Sequence, residues 1–199
     1  MIDHARFERK YWTSSDFGHI DGEEELLPQI LQPRGQIFIM QENVDVDHAA
    51  DTVTRRSRTR FIVYLNCAPI YWFSKNQASV ESSSFGSEFI SMKQCCENLR
   101  GLRYKLRVVV IPCPGPAYIE GENQLVLANT TIPYYTLKNK NQSIPYHFVR
   151  EGGARNEWRT TYVNTHNNEA GLLTTLLQSG ENRKGFVRNL LHHIFSSGS

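Results

Sequence analysis

From Gln36 onward, three short runs (IFIMQENVDV, FIVYLNC and PIYWFS) are rich in β-branched and aromatic residues and are separated by short breaks. Their length and composition predict three strands. The period then changes. From about Phe85 to Leu106 the apolar residues Phe85, Phe89, Met92, Cys96, Leu99 and Leu106 recur mainly every three or four positions. That spacing predicts one long helix with a single buried stripe. Three strands, a helix, then strand and helix in alternation make a mixed α/β domain rather than an all-parallel one.

The polar segment TVTRRSRTR links the first two strands, and Ala68-Pro69 is expected to make the turn between the second and third. Further on, RVVVIP reads as a buried strand, AYIEGEN as a short strand and LVLANTT as a brief helix. IPYHFVRE reads as a helix, WRTTYVN as a strand, and the region from Glu169 to Leu177 as a helix. GFVRNLLHHIF reads as an amphipathic terminal helix. Tyr71, Trp72 and Phe73 alternate along a strand and are expected to pack mostly inside. Residues 1–34 carry an acidic run (Glu23, Glu24, Glu25) and two prolines, Pro28 and Pro33. They read as a loosely structured connector ahead of one domain spanning 35–199.

With 40% hydrophobic and 21% charged residues, the chain has an ordinary globular balance, and a net charge of +2 does not by itself call for a nucleic-acid partner. No stretch approaches the roughly 20 apolar residues needed to span a bilayer. The N-terminus, MIDHARFERKYW, lacks the character of a secretory signal, so an intracellular setting, cytoplasmic or nuclear, is expected. Cys67, Cys95, Cys96 and Cys113 form no CxxC or Cys/His spacing and read as packed free thiols.

Three acids stand out. Asp45 and Asp47 end a β-branched strand, where a carboxylate is unfavourable unless it is paired, metal-bound or turned to solvent. Because residues two apart share a face, solvent exposure of one does not dispose of both. Glu88 falls on the helical row of Met92, Cys95 and Leu99. It is either a functional acid or a boundary residue whose stem packs while its head reaches water. Glu122 lies at the C-terminal end of a strand, where ligands bind in open α/β sheets, although an acid there is a weak signal by itself and a solvated loop acid is the simpler reading. Convergence of Asp45, Glu88 and Glu122 would suit magnesium or manganese, which take oxygen ligands. Basic residues cluster at Arg55, Arg56, Arg58 and Arg60, at Arg100, Arg103, Lys105 and Arg107, and at Lys138 and Lys140. Each cluster is a source of phosphate contacts or a solvated face.

The words VDVDHAADTVTRRSRT, FIVYLNCAPIYWFSKNQ, VESSSFGSEFISMK and GLRYKLR occur in that order, followed by GENQLVLANTTIP, YYTLKNKNQSIPYHFVRE and WRTTYVNTH. Together they resemble the ribonuclease H region of copia-type retrotransposon polyproteins over roughly residues 34–195. The resemblance implies a ribonuclease H-like fold: a five-stranded mixed sheet, three strands antiparallel and then two parallel, flanked by helices. It also implies hydrolysis of the RNA strand of RNA/DNA hybrids with two magnesium or manganese ions, beside the polymerase domain of a polyprotein. By position, Asp45 matches the first-strand aspartate (Asp47 being the second candidate), Glu88 the helix glutamate, and His166 a mobile histidine. Lys75, Gln77, Asn123 and Gln124, with Arg55 and Arg56, are the implied nucleic-acid contacts.

Two positions depart from the family pattern. Glu122 stands where the family word reads Gly-Asp-Asn-Gln, and it is longer by one methylene, roughly 1.5 Å. A misplacement of about 1 Å can cost on the order of 100-fold in rate. Gly171 stands where the fourth aspartate is usual, and Arg60 replaces a common glycine and is expected to disturb a turn more than the chemistry. These departures predict weak metal affinity and reduced or lost cleavage. The alternative is a non-catalytic nucleic-acid-binding module or a structural, connection-type one.

Overall fold

The computed structural model describes residues 38–66, 68–111, 113–131 and 142–173. The expectations for residues 1–34, Cys67, Lys138, Lys140 and the terminal helix fall outside the described residues. The strands are β1 (Met40–Asp47), β2 (Arg58–Leu65), β3 (Ala68–Asn76), β4 (Ala117–Gly121) and β5 (Trp158–Tyr162). The helices are α1 (Ser84–Val108), α2 (Gln124–Thr131) and α3 (Ser143–Ala154). Two 3-10 turns follow, Thr165–Asn167 and Glu169–Leu173. No described helix is long and apolar enough to cross a membrane.

The sheet order is β3-β2-β1-β4-β5, antiparallel across the first three strands and parallel from β1 through β4 to β5. The length of the connections explains the change of sense. A hairpin joins antiparallel neighbours, whereas a parallel neighbour needs a crossover of a dozen or more residues, here supplied by α1. Met40, Val44, Phe61, Val63, Ala117, Ile119 and Trp158 from the strands meet Phe89, Met92, Cys95, Cys96 and Leu99 from α1 in one buried cluster. The predicted stripe of the long helix is therefore the face that closes the core. Its N-terminus is capped by Ser83, whose hydroxyl accepts from the Gly86 amide at 3.1 Å.

Three expectations are corrected. RVVVIP is not a strand: α1 continues to Val108, and Val108 and Val109 are 66% and 61% exposed. The helix stops because Val110 takes a left-handed conformation (φ 62°) while the Ile111 amide returns to the Leu106 carbonyl. The reversal between β2 and β3 begins at Asn66 (φ 55°), since Ala68 already pairs with Leu65. Finally, Trp72 is 66% exposed on the edge strand, and of the three aromatics there only Phe73, stacked on Phe61, joins the core. Cys95 and Cys96 are buried free thiols, and Cys113 is buried as well.

Candidate functional site: a carboxylate centre holding an arginine

The C-terminal end of β1 sets the site. Antiparallel register places Arg60 of β2 directly opposite Asp45, and Arg58 opposite Asp47. Directly opposed residues share a face, and so do residues two apart on one strand. Arg60 therefore points at both aspartates. Its Nη1 donates to Asp45 Oδ2 at 2.8 Å, and its Nη2 lies 2.7 Å from Asp47 Oδ2. The Arg60 side chain is 4% exposed, against 15% for Asp45 and 47% for Asp47. Arg60 is thus a strand residue in an ion triad, not a disturbed turn.

The other acids approach the same end of the sheet. Burial pushes Glu88 up to about 8, with the charges of Asp45 and Glu122 adding to the rise. Asp45 is also raised, first by burial and then by Glu122 and Asp47, while Arg60 pulls the other way. The three candidate acids therefore share one electrostatic neighbourhood. Glu122 follows the last residue of β4, and both its oxygens are engaged. Asn168 Nδ2 donates to Oε1 at 2.9 Å, and Thr165 Oγ1 donates to Oε2 at 2.8 Å. Asn168, 1% exposed, also donates to the Val44 carbonyl at 2.9 Å, so it ties the ends of β1 and β4 together.

The second 3-10 turn lies across this face. A Cβ built on Gly171 would stand 3.9 Å from Asp45 Oδ2, so the fourth carboxylate of the family pattern would point at this centre, and a glycine leaves it without one. Glu169 does not substitute. It accepts a hydrogen bond from the Tyr64 hydroxyl, and burial followed by that bond pushes the phenol far up.

The remaining candidates divide into a rim and an interior. Arg55, Arg56, Arg58 and Lys75 are exposed around the β1–β2 connection and the end of β3, with Arg58 Nε donating to Asn76 Oδ1 at 3.0 Å. His166 is exposed beside Thr165, its backbone amide donating to Asn164 Oδ1 at 3.0 Å. Gln124 is exposed at the start of α2, whereas Asn123 Oδ1 is used locally, accepting from the Leu125 and Val126 amides. Gln77 is 3% exposed, and its Nε2 donates to Thr59, Ser91 and the Ser87 carbonyl, so it braces α1 against β2. In the second basic cluster, Arg103 staples the chain after α1 by donating to the carbonyls of Cys113, Gly115 and Glu157. Arg100 forks onto Glu157.

Sequence reasoning did not anticipate Arg60, Asn168 or Thr165 in the site. For Arg60 the signal existed, because pairing Asp47 with Arg58 across the hairpin brings Asp45 to Arg60. For Asn168 and Thr165 there was none, since their roles depend on a return of the chain that no local pattern encodes.

The resemblance implies divalent metal ions, and Asp45, Glu88 and Glu122 have the right chemistry for magnesium or manganese. Their placement does not fit a pair of such ions. Arg60 already holds an ion pair with Asp45 and with Asp47, each Glu122 oxygen already accepts a hydrogen bond, and the fourth position is Gly171. Among the described residues, no group of three or more His, Cys, Asp or Glu is arranged to hold a metal ion.

No family model matches the chain. Among curated proteins, it is 30% identical over 174 residues, 80% of its length, to the retrovirus-related Pol polyprotein from transposon RE1 of Arabidopsis thaliana. It is 29% identical over 145 residues, 73% of its length, to the corresponding polyprotein from transposon RE2 of the same plant. The chain spans only 12% and 10% of those two proteins. Among solved structures it is similar to LC11-RNase H1 in complex with an RNA/DNA hybrid, with a TM-score of 0.51 at 11% identity. That match covers 68% of this chain and 92% of the other. The chain is a ribonuclease H-like domain, homologous to a segment of retrotransposon Pol polyproteins as its copia-type words imply.

Proposed function

We propose that this domain docks RNA/DNA hybrid, or a similar nucleic-acid duplex, against its exposed arginine and lysine rim, with hydrolysis strongly reduced. The observation that carries the reading is the register of the antiparallel half of the sheet. It sets Arg58 opposite Asp47 and Asn76, on the face of the aspartates, and Lys75 opposite Thr59, on the other face at the same end of the sheet, while Arg55 and Arg56 are exposed in the β1–β2 connection. Cations so placed bond phosphates on either side of a backbone passing over that end. His166 and Gln124 flank the opposite side. Magnesium or manganese belongs to the reaction of the family. In this chain Asp45, Glu88 and Glu122 are the groups that would attract it, and the ion triad of Arg60 opposes that.

On this reading residues 35–199 form the domain and 1–34 a connector from a preceding polymerase segment, in an intracellular polyprotein or a fragment of one. The test is fluorescence anisotropy with a labelled hybrid at several salt concentrations. Binding should weaken steeply with salt. Replacing Arg55, Arg56 and Lys75 together by alanine should weaken it about tenfold or more, and lower the log–log salt slope by roughly 2 to 3. An unaffected triple variant, or a native chain that ignores the hybrid, would sink the reading. Cleavage of the RNA strand in magnesium or manganese should be no faster than for Asp45→Asn, and a clearly faster native rate would show that hydrolysis survives.

A further inference from the structure

The carboxylate centre is organised around a cation that belongs to the chain itself. Arg60 contacts Asp45 at 2.8 Å and Asp47 at 2.7 Å, and only 4% of its side chain is exposed. Its backbone has no freedom to withdraw, because β2 is paired to β1 on one side and to β3 on the other through this position, with Arg60 opposite Asp45 and opposite Ser74. We infer that Arg60 is a resident counter-ion that occupies the place of a divalent metal, so that the centre is complete without metal and excludes it.

A free ion competing for Asp45 has to displace a guanidinium tethered by the sheet, whose effective concentration at Asp45 does not fall on dilution. Displacement would also leave the guanidinium buried and unpaired, and an uncompensated buried charge is among the costliest defects in a protein. The guanidinium also presents separate nitrogens to two carboxylates, Nη1 bonded to Asp45 and Nη2 in ion-pair contact with Asp47, which a point charge on a lysine does not reproduce.

This deepens the reading of the domain given above, but its test needs no nucleic acid. A chain that ignores RNA/DNA hybrid yet behaves as follows would lose that reading and keep this one. Manganese chloride is titrated calorimetrically into the full chain and into Arg60→Met, which keeps much of the side-chain volume and removes the charge. Thermal unfolding is followed in EDTA and in manganese. The native chain should show no saturable binding at millimolar manganese and the same melting temperature in both media.

Arg60→Met should melt lower in EDTA, bind manganese at least about tenfold more tightly than the native chain, and regain part of the lost melting temperature through that binding. Arg60→Met/Asp45→Asn should lose the new site. Should Arg60→Met fail to fold in EDTA, refolding it in manganese gives the same readout, because recovery of the folded state by the ion supports the inference. Saturable manganese binding by the native chain as tight as that of Arg60→Met would overturn it. So would an Arg60→Met chain that neither binds manganese nor gains stability from it. Arg60→Lys, which retains a positive charge, should stay closer to the native chain than to Arg60→Met. An Arg60→Lys chain that binds manganese as tightly as Arg60→Met would overturn the inference, because a retained positive charge would then fail to keep the ion out.

Discussion

Glu42 sits in the middle of β1, fully buried, and no nitrogen or oxygen donor reaches either carboxylate oxygen. Burial pushes it up to about 8, offset in part by the neighbouring Cys95 thiol. The folded protein therefore holds Glu42 protonated where the unfolded chain, near 4.5, has lost the proton. Stability from this group is fully present below about 4.5 and is lost as pH rises to about 8. Glu88 adds to the slope over the same window. Denaturant midpoints at pH 5 and pH 8 should therefore fall with pH. Glu42→Gln should shrink that fall by roughly half, a difference on the order of a few kcal/mol at pH 8. An unchanged slope would mean that Glu42 is ionised in the fold. Neither Glu42 nor Arg60 was legible from residue type. In MQENVDVD, Glu42 shares the face of Met40 and Val44, whereas Asp45 and Asp47 fall on the other, so its parity points inward although its residue type points to water. Because β1 is the central strand of the sheet, an acid on that face meets the packed core rather than solvent.

Among the elements, α3 and β5 show how tightly a sequence-readable pair is fitted. Both were legible, IPYHFVRE as a helix and WRTTYVN as a strand, but the fit between them depends on a hydrogen atom. A Cβ added at Gly152 would lie 1.9 Å from Trp158 Cζ2, and Trp158 is 2% exposed with its indole N–H donating to the Val149 carbonyl at 2.9 Å. Gly152→Ala should therefore cost about 3 kcal/mol in urea unfolding through overpacking, against the gain of roughly 1 kcal/mol that alanine brings to an open helical site. Gly153→Ala is the matched control, because nothing lies within 4 Å of its Cβ. The misread element was 107–112. A run of three valines is strong strand composition, but a strand needs a neighbour, and here the helix keeps its hydrogen-bond ladder until Val110 turns the chain away.

At the scale of the whole molecule, the sheet divides into a local half, built of hairpins, and a distant half brought back by crossovers. The local half could be read from strand composition and spacing. The return of residues 164–173 over the sheet could not, because its anchors are side-chain bonds to remote backbone. Asn168 is the main one, donating to Val44 and Glu122 and accepting from the Ala170 amide. Asn168→Ala should cost roughly 1–3 kcal/mol through the buried groups left without partners. It should also hasten proteolytic cutting after residue 163, and an unchanged cutting rate would show that other contacts hold the turn. The two halves also differ in the length of chain each must close. Asp45 meets Arg60 within a hairpin of 15 residues, whereas Asn43 reaches Glu120 only across 77. Closure of the shorter loop costs less entropy. The pairing of Asp45 with Arg60 is thus the cheaper of the two to form, and the hairpin carries its own counter-ion to the end of the sheet to which Glu122 is brought from far along the chain.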